Sequence, residues 1–251
     1  MPELRTLPEH LVNRIAAGEV VERPASAIKE LVENSIDAGS KRISVAVRDG
    51  GKTLISVSDD GRGMSAEEFP LAATRHVTSK LPEDDLAEIC WLGFRGEALP
   101  AIGAVSRLTL TSRTAHADQA WTLEVEAGAV SPVVPAALST GSLIEIRDLF
   151  FATPARLKFM KTVRAETMAA VDVINQLSVA RPDITFTLMV DDRTRLHYDA
   201  AQGELMSARL YRIAEVMGKD FADNAIALQA ERDDVGLTGY SSLPTFNRGN
   251  A

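Results

Sequence analysis

The sequence lacks several things that would otherwise decide its chemistry. It has one cysteine, Cys90, which excludes an internal disulfide and any multi-cysteine metal site and suits a reducing compartment. Its four histidines, His10, His76, His116 and His197, are scattered at no metal-ligating spacing. No apolar run approaches the roughly 20 residues of a membrane-spanning helix. The opening MPELRTLPEHLVNR is polar and has no apolar signal core, so the expected location is the cytoplasm. The string GxxxxGK followed by Ser or Thr occurs nowhere, which excludes a P-loop enzyme. There are no internal repeats, low-complexity tracts or Pro/Gly/Ser linkers. Positive charge is in deficit as well: 27 Lys and Arg stand against 35 Asp and Glu, a net charge of −8. Bulk charge therefore lends nothing to nucleic-acid binding and leaves only a local basic patch open.

What is present is ordinary for a water-facing globular chain. The 251 residues are 45% hydrophobic and 25% charged, enough for one large domain or one domain plus part of a second. PEHLVNRIAA (8–17) reads as a short helix with Gly18 as its stop. Pro24 is placed to start the next helix. In the stretch 28–39, Ile28, Leu31, Val32, Ser35 and Ile36 fall on one stripe at helical spacing, a core face. Glu30, Glu33, Asn34 and Asp37 fall on the opposite face, with no Lys or Arg in the group and Gly39 as a C-cap. Strands at 41–48 and 54–59 alternate polar and apolar around the turn Asp49-Gly50-Gly51. A helix stripe packed on such a hairpin is an α+β layer arrangement. Downstream, 65–74 opens on the capping-box pair Ser65 and Glu68. Residues 75–96 carry little regular structure apart from a short helix at 84–90, and loops of that length often serve as lids. Strands follow in RLTLTSR, AWTLEVEA, AVSPVVP and LIEIRDLF, then a Thr153-Pro154 helix start, a helix at 163–180, a hairpin around Asp191-Asp192, a helix at 204–218 and two final strands.

Four groups of residues have a chemical reading beside a plain one. The acidic face at 30–37 is either a solvated surface or a site whose oxygens suit a hard cation such as magnesium, with a spare carboxylate to activate water. Asp59-Asp60-Gly61-Arg62-Gly63-Met64 is either a Gly-rich turn or a purine site. In the second case Asp59 accepts from an exocyclic amine and the glycines admit the base. A dinucleotide fingerprint is excluded there, because two acids occupy the pyrophosphate position and Lys80 stands where a ribose-binding acid would be needed. Thr78-Ser79-Lys80 and Gly93-Phe94-Arg95-Gly96 are either solvated loops or polyphosphate contacts, with a helix entered at Gly96 adding its dipole. Arg156, Lys158, Lys161 and Arg164 are either solvated surface or a DNA contact.

In this order the motifs resemble the mismatch-repair ATPases of the MutL family, in the GHKL superfamily shared with gyrase, heat-shock chaperones and histidine kinases. The superfamily pattern is met by Glu30 and Asn34 and by Asp59, Gly61 and Gly63. The longer strings that carry the resemblance are residues 15–39, ATRHVTSK (73–80), LGFRGEAL (92–99) and DLFFATPARLKF (148–159). The resemblance implies a GHKL (Bergerat) two-layer α/β sandwich over 1–203 and the start of a second, S5-like α/β domain over 204–251. It implies that Glu30 is the general base and Asn34 a magnesium ligand. Asp59 would bind the adenine amine, with Gly63 shaping that pocket and the Ser142 hydroxyl serving adenine recognition, and Ala38 and Met64 would be further nucleotide-binding residues. Thr78, Ser79, Lys80 and the run Gly93, Phe94, Arg95, Gly96, Glu97, Ala98 and Leu99 would close over the phosphates. The implied cofactors are ATP and magnesium. The implied partners are a second copy of the chain on ATP binding, a MutS-type mismatch-recognition protein, DNA, and a repair endonuclease or helicase. Ser142 stands where the family usually has Thr, and Ala101 where Ser is common. The sequence ends at Ala251, before the second-domain lysine that in the family reaches the γ-phosphate, so slow turnover is expected of this segment. The competing readings are a nucleotide-gated scaffold with negligible turnover and another GHKL ATPase.

Overall fold

Pro24 presets the backbone angle of a first helical turn and gives up only an N–H that has no partner there, so the chain turns helical at that residue. A computed structural model describes residues 6–81, 91–233 and 235–246. The chain begins with helices α1 (Glu9–Val20) and α2 (Pro24–Asp37), the hairpin β1 (Arg42–Arg48) and β2 (Leu54–Asp59), and the short helix α3 (Glu68–Ala72). Helix α4 (Ala98–Val105) leads into β3 (Arg107–Arg113), β4 (Ala120–Glu126), β5 (Ala129–Val130), β6 (Val134–Ala136) and β7 (Gly141–Arg147). Then come α5 (Pro154–Leu157), α6 (Val163–Ala180), β8 (Thr185–Val190) and β9 (Arg193–Tyr198). The last elements are α7 (Leu205–Met217), α8 (Lys219–Asp223), β10 (Ala225–Arg232) and β11 (Val235–Ser242).

Strands β1 to β9 make one sheet in the order β5-β4-β3-β7-β2-β1-β8-β9, with β6 also on β4. Its pairs are antiparallel except β1 with β8, which run parallel. Alternation sends Ile43, Val45 and Val47, Ile55 and Val57, Leu108 and Leu110, Ile144 and Ile146, and Phe186 and Leu188 to one buried face. Helices α1, α2, α4 and α6 cover that face with Ala17, Ile28, Leu31, Val32, Ile36, Ile102, Val105, Ala170 and Ile174, and the whole forms a single core. Each large aliphatic side chain so buried contributes about 1.5–3 kcal/mol. The result is the expected two-layer α/β sandwich. Strands β10 and β11 pair only with each other.

Three expectations change. Gly18 does not stop α1, which continues to Val20. The Arg156 guanidinium donates to the Gly18 carbonyl at 3.1 Å, and a Cβ on Gly18 would sit 3.3 Å from it. This glycine makes room for an arginine, and Arg156, which also lies over the Phe150 ring, is a tie between α5 and α1 and not part of a solvated patch. The strand expected over AVSPVVP divides into β5 and β6, because Pro132 has no N–H for a ladder. Helix α4 begins at Ala98, two residues after Gly96. The helix expected at 84–90 lies outside the described residues.

Arg212, on α7, is fully buried. It donates to the carbonyls of Ser178, Pro182, Ile184 and Asp199 and to the Glu215 carboxylate. One side chain thus ties the end of α6 and the start of β8 to the residue after β9, adding to the Ala201 N–H that Pro182 already accepts, and it fastens α7 there.

Candidate functional site

Because the apolar stripe of α2 faces the sheet, its other face looks into a cavity of about 850 Å³. The remaining walls are the end of α1, the end of β2, the turn after it, α3, residues 77–80, residues 91–100 and the start of β7. Each residue assigned to the nucleotide or metal by the resemblance lines this cavity: Glu30, Asn34 and Ala38 from α2; Asp59 at the end of β2, with Gly63 and Met64 after it; Thr78, Ser79, Lys80 and Gly93 to Leu99 from the two loops; and Ser142 from β7. The basic residues Arg156, Lys158, Lys161 and Arg164 do not.

The polar face of α2 is less uniformly acidic than its sequence suggests. Lys29 pairs with Glu33 one turn on, at 2.9 Å. Lys80, far away in sequence, reaches Asp37 at 2.6 Å and the Asn34 side-chain oxygen at 2.8 Å. The backbone N–H groups of Leu92 and Gly93 also donate to Asp37. Asp37 therefore holds both loops against α2, which places Gly93 beside Asn34. Glu30 alone keeps a free carboxylate: among the described residues it makes no hydrogen bond or ion pair. Its burial, and next the Glu33 carboxylate, push its pKa above the ordinary glutamate value, while Lys29, Lys80 and Arg95 pull it down. A half-buried, unpartnered carboxylate of raised pKa in a cleft has the character of a general base.

The other end of the cavity is built around Asp59. Its carboxylate accepts from the Ser35 hydroxyl at 2.8 Å and from the Gly61 N–H at 2.9 Å, which fixes its plane and leaves lone pairs for a ligand donor. Asp60 is used otherwise, accepting from the Lys41 and Arg42 N–H groups. Gly63 takes φ +69°, and a Cβ there would lie 2.1 Å from the Arg113 carbonyl, so the turn can press against β3 only as glycine. Gly96 plays the same part between the loops. At φ +62° its Cβ would meet the Val77 carbonyl at 2.2 Å, and its own carbonyl accepts from the His76 N–H.

Two functional positions escape the sequence reading. Ser35 sits on the core stripe by spacing, yet its hydroxyl orients Asp59. Ser112 reads only as a residue of strand β3, yet it is fully buried and its hydroxyl touches both the 61–64 turn and Ser142. The one signal for either is a hydroxyl at a position that periodicity assigns to the interior, where a polar group needs a partner. Among the described residues no three His, Cys, Asp or Glu side chains converge as a metal cage, so a cation here would take most of its oxygens from a ligand. Among the same residues no helix is long and apolar enough to cross a membrane.

Comparison with known proteins agrees with this geometry. Residues 22–148 match the family described as histidine kinase-, DNA gyrase B-, and HSP90-like ATPase. The chain is 61% identical over 245 residues to the DNA mismatch repair protein MutL of Paramagnetospirillum magneticum, covering 98% of this chain and 40% of that relative. It is 58% identical over 245 residues to MutL of Rhodospirillum rubrum, covering 98% of this chain and 39% of the relative. The chain thus spans about 40% of the length of these relatives. Among solved structures it resembles the Aquifex aeolicus MutL ATPase domain complexed with ADP. The TM-score is 0.67 at 29% identity, covering 84% of this chain and 73% of that one. The family match and the shared fold place the chain in the histidine kinase-, DNA gyrase B- and HSP90-like ATPase family, as an ATPase region of MutL type.

Proposed function

We propose that this chain binds ATP with magnesium and hydrolyses it, as the switch of a mismatch-repair protein. The observation that carries the reading is the division of labour along one helix. Ser35 fixes the acceptor Asp59 at one end of the cavity, while Glu30, more than one turn earlier, keeps an unpartnered carboxylate at the other. The adenine amine donates to Asp59, with Gly63, Met64, Ala38 and Ser142 forming the surrounding walls. Thr78, Ser79, Lys80 and the 93–99 loop contact the phosphates with hydroxyls, cations and backbone N–H groups. Glu30 takes a proton from a water whose oxygen attacks the γ-phosphorus, and the bond to the ADP oxygen breaks.

The residues present fit magnesium. The Asn34 oxygen lines the cavity and already accepts from the Lys80 ammonium, so it faces a place where positive charge is stable. Asn34 would hold the ion together with phosphate oxygens, and bound magnesium supplies neutralisation of phosphate charge. Asn34→Ala is therefore expected to lower ATP affinity about tenfold, roughly 1.4 kcal/mol, in the presence of magnesium and far less in its absence. Calorimetric titration of the full-length protein under both conditions checks this. An equal loss with and without the ion would remove Asn34 from the metal site.

The wider reading extends the same proposal. ATP binding orders the two loops and favours a homodimer. The protein then links a MutS-type mismatch-recognition partner and DNA to a repair endonuclease or helicase, in the cytoplasm. The similarity to DNA mismatch repair proteins MutL supports the repair role. We place the start of a second domain near residue 204, since β10 and β11 lie off the main sheet. Titration with a nonhydrolysable ATP analogue, followed by light scattering, tests the switch. A mass that stays monomeric at saturation would refute ATP-driven dimerisation.

A further inference from the structure

We infer that Ser112, which lies behind the cavity wall, sets the direction of the Ser142 hydroxyl and thereby the base specificity of the site. The inference rests on the reading of Asp59 and Ser142 as the adenine end. Strands β2, β7 and β3 place Asp59, Ser142 and Ser112 side by side in register. The Ser112 hydroxyl has three contacts: the Met64 N–H at 2.8 Å, the Gly141 carbonyl at 2.9 Å and the Ser142 hydroxyl at 2.9 Å.

A hydroxyl carries one proton and two lone pairs. The Met64 N–H can only donate, so it takes one lone pair of Ser112. The Gly141 carbonyl can only accept, so it takes the proton. The third contact is then made only if Ser142 donates to Ser112. Ser142 has a single proton, and it is spent behind the wall. Toward the cavity Ser142 presents lone pairs alone, beside the free lone pairs of Asp59. The base-reading end is therefore a wall of acceptors, which suits the 6-amino group of adenine and repels the 6-oxo group of hypoxanthine.

Removing the Ser112 hydroxyl releases the Ser142 proton, which can turn into the cavity and donate to a 6-oxo group. The test is competition of ATP and inosine triphosphate, each with saturating magnesium, against a fluorescent nonhydrolysable adenine nucleotide on the full-length protein. The unmodified protein is expected to prefer ATP by about tenfold or more, the worth of one well-placed donor against an opposed pair. Ser112→Ala is expected to lower that ratio several-fold, the remainder being kept by the Asp59 carboxylate, with thermal melting as the check that the fold persists. Ser142→Ala is expected to lower the ratio too, and adding Ser112→Ala to it is expected to change the ratio no further, since the proton at issue is gone. Should Ser112→Ala not fold, the Ser142→Ala ratio decides: an unchanged ratio there overturns the inference. Equal losses of ATP and inosine triphosphate affinity in Ser112→Ala, with the ratio kept, would make Ser112 a purely structural residue and overturn it as well. A ratio near one in the unmodified protein would instead refute the adenine reading itself.

Discussion

Glu30→Gln is expected to keep ATP binding and to lower single-turnover hydrolysis by about 10²–10⁴-fold, the usual worth of a positioned general base. The substitution keeps the size and replaces one proton-accepting carboxylate oxygen, with its charge, by an amide NH2 that can only donate. Glu30 has no partner among the described residues, so no ion pair is broken. The full-length protein, mixed with limiting radiolabelled ATP, gives both binding and cleavage in one experiment. Turnover within a factor of about three of the unmodified rate would exclude the base role, since that is near 0.6 kcal/mol of barrier.

The same carboxylate gives a pH dependence of defined sign. Burial and Glu33 raise its pKa above the ordinary value of 4.5. Hydrolysis therefore falls on acidification sooner than an ordinary glutamate would allow. For stability the sign is opposite to that of a salt-bridged acid. A carboxyl whose folded pKa is raised disfavours the fold wherever it is ionised. The penalty is full above its folded pKa and absent below the unfolded value. Glu30→Gln should thus raise the melting temperature at neutral pH, a gain that fades as pH falls through the raised pKa. A variant that is slower and more stable is the signature of a functional strain. One that is slower and less stable would point to damage.

Arg212→Ala carries the second large effect. It removes the arginine's bonds to the Ser178, Ile184 and Asp199 carbonyls and to the Glu215 carboxylate, and leaves Pro182 only the Ala201 N–H. Breaking a buried charged network from one side costs about 3–5 kcal/mol, a melting shift on the order of 10 °C for a chain of this size. Arg212→Met restores the packed stem alone and should recover little, because the loss lies in unsatisfied carbonyls and not in volume. Urea unfolding of the three proteins measures it. A difference below about 1 kcal/mol between Arg and Ala would mean that water reaches those carbonyls.

What the sequence made legible is what is local. The stripe of α2 follows from spacing within a few residues, and so do the β1–β2 hairpin and α6, whose limits 163–180 agree with the expectation. The cavity-lining residues were legible through strings that resemble a family, not through periodicity. Contacts between distant segments were not legible. Lys80 neutralises Asp37 across 43 positions, and Arg156 reaches Gly18 across 138. Neither leaves a trace in spacing. Gly18 shows the cost: by local chemistry a glycine there ends a helix, and a tertiary tie reverses the rule. Ser35 and Ser112 were hidden for another reason. A serine is small enough to pass for filler in a core pattern, and the value of its hydroxyl depends on partners from other strands.

The parallel pairing of β1 with β8 has a consequence in time. Every residue assigned to the nucleotide precedes Leu143, but the strand that flanks β1 ends at Val190, and α6, packed on α2, comes just before it. At 5–20 residues per second, a ribosome needs roughly 2–10 s to pass from Ser142 to Val190. During that interval the emerging chain holds all the cavity residues but lacks α6 and β8, which pack on α2 and β1. Under the proposed nucleotide reading, capture therefore awaits α6 and β8, and a substitution there, remote from the cavity, is expected to weaken binding through folding.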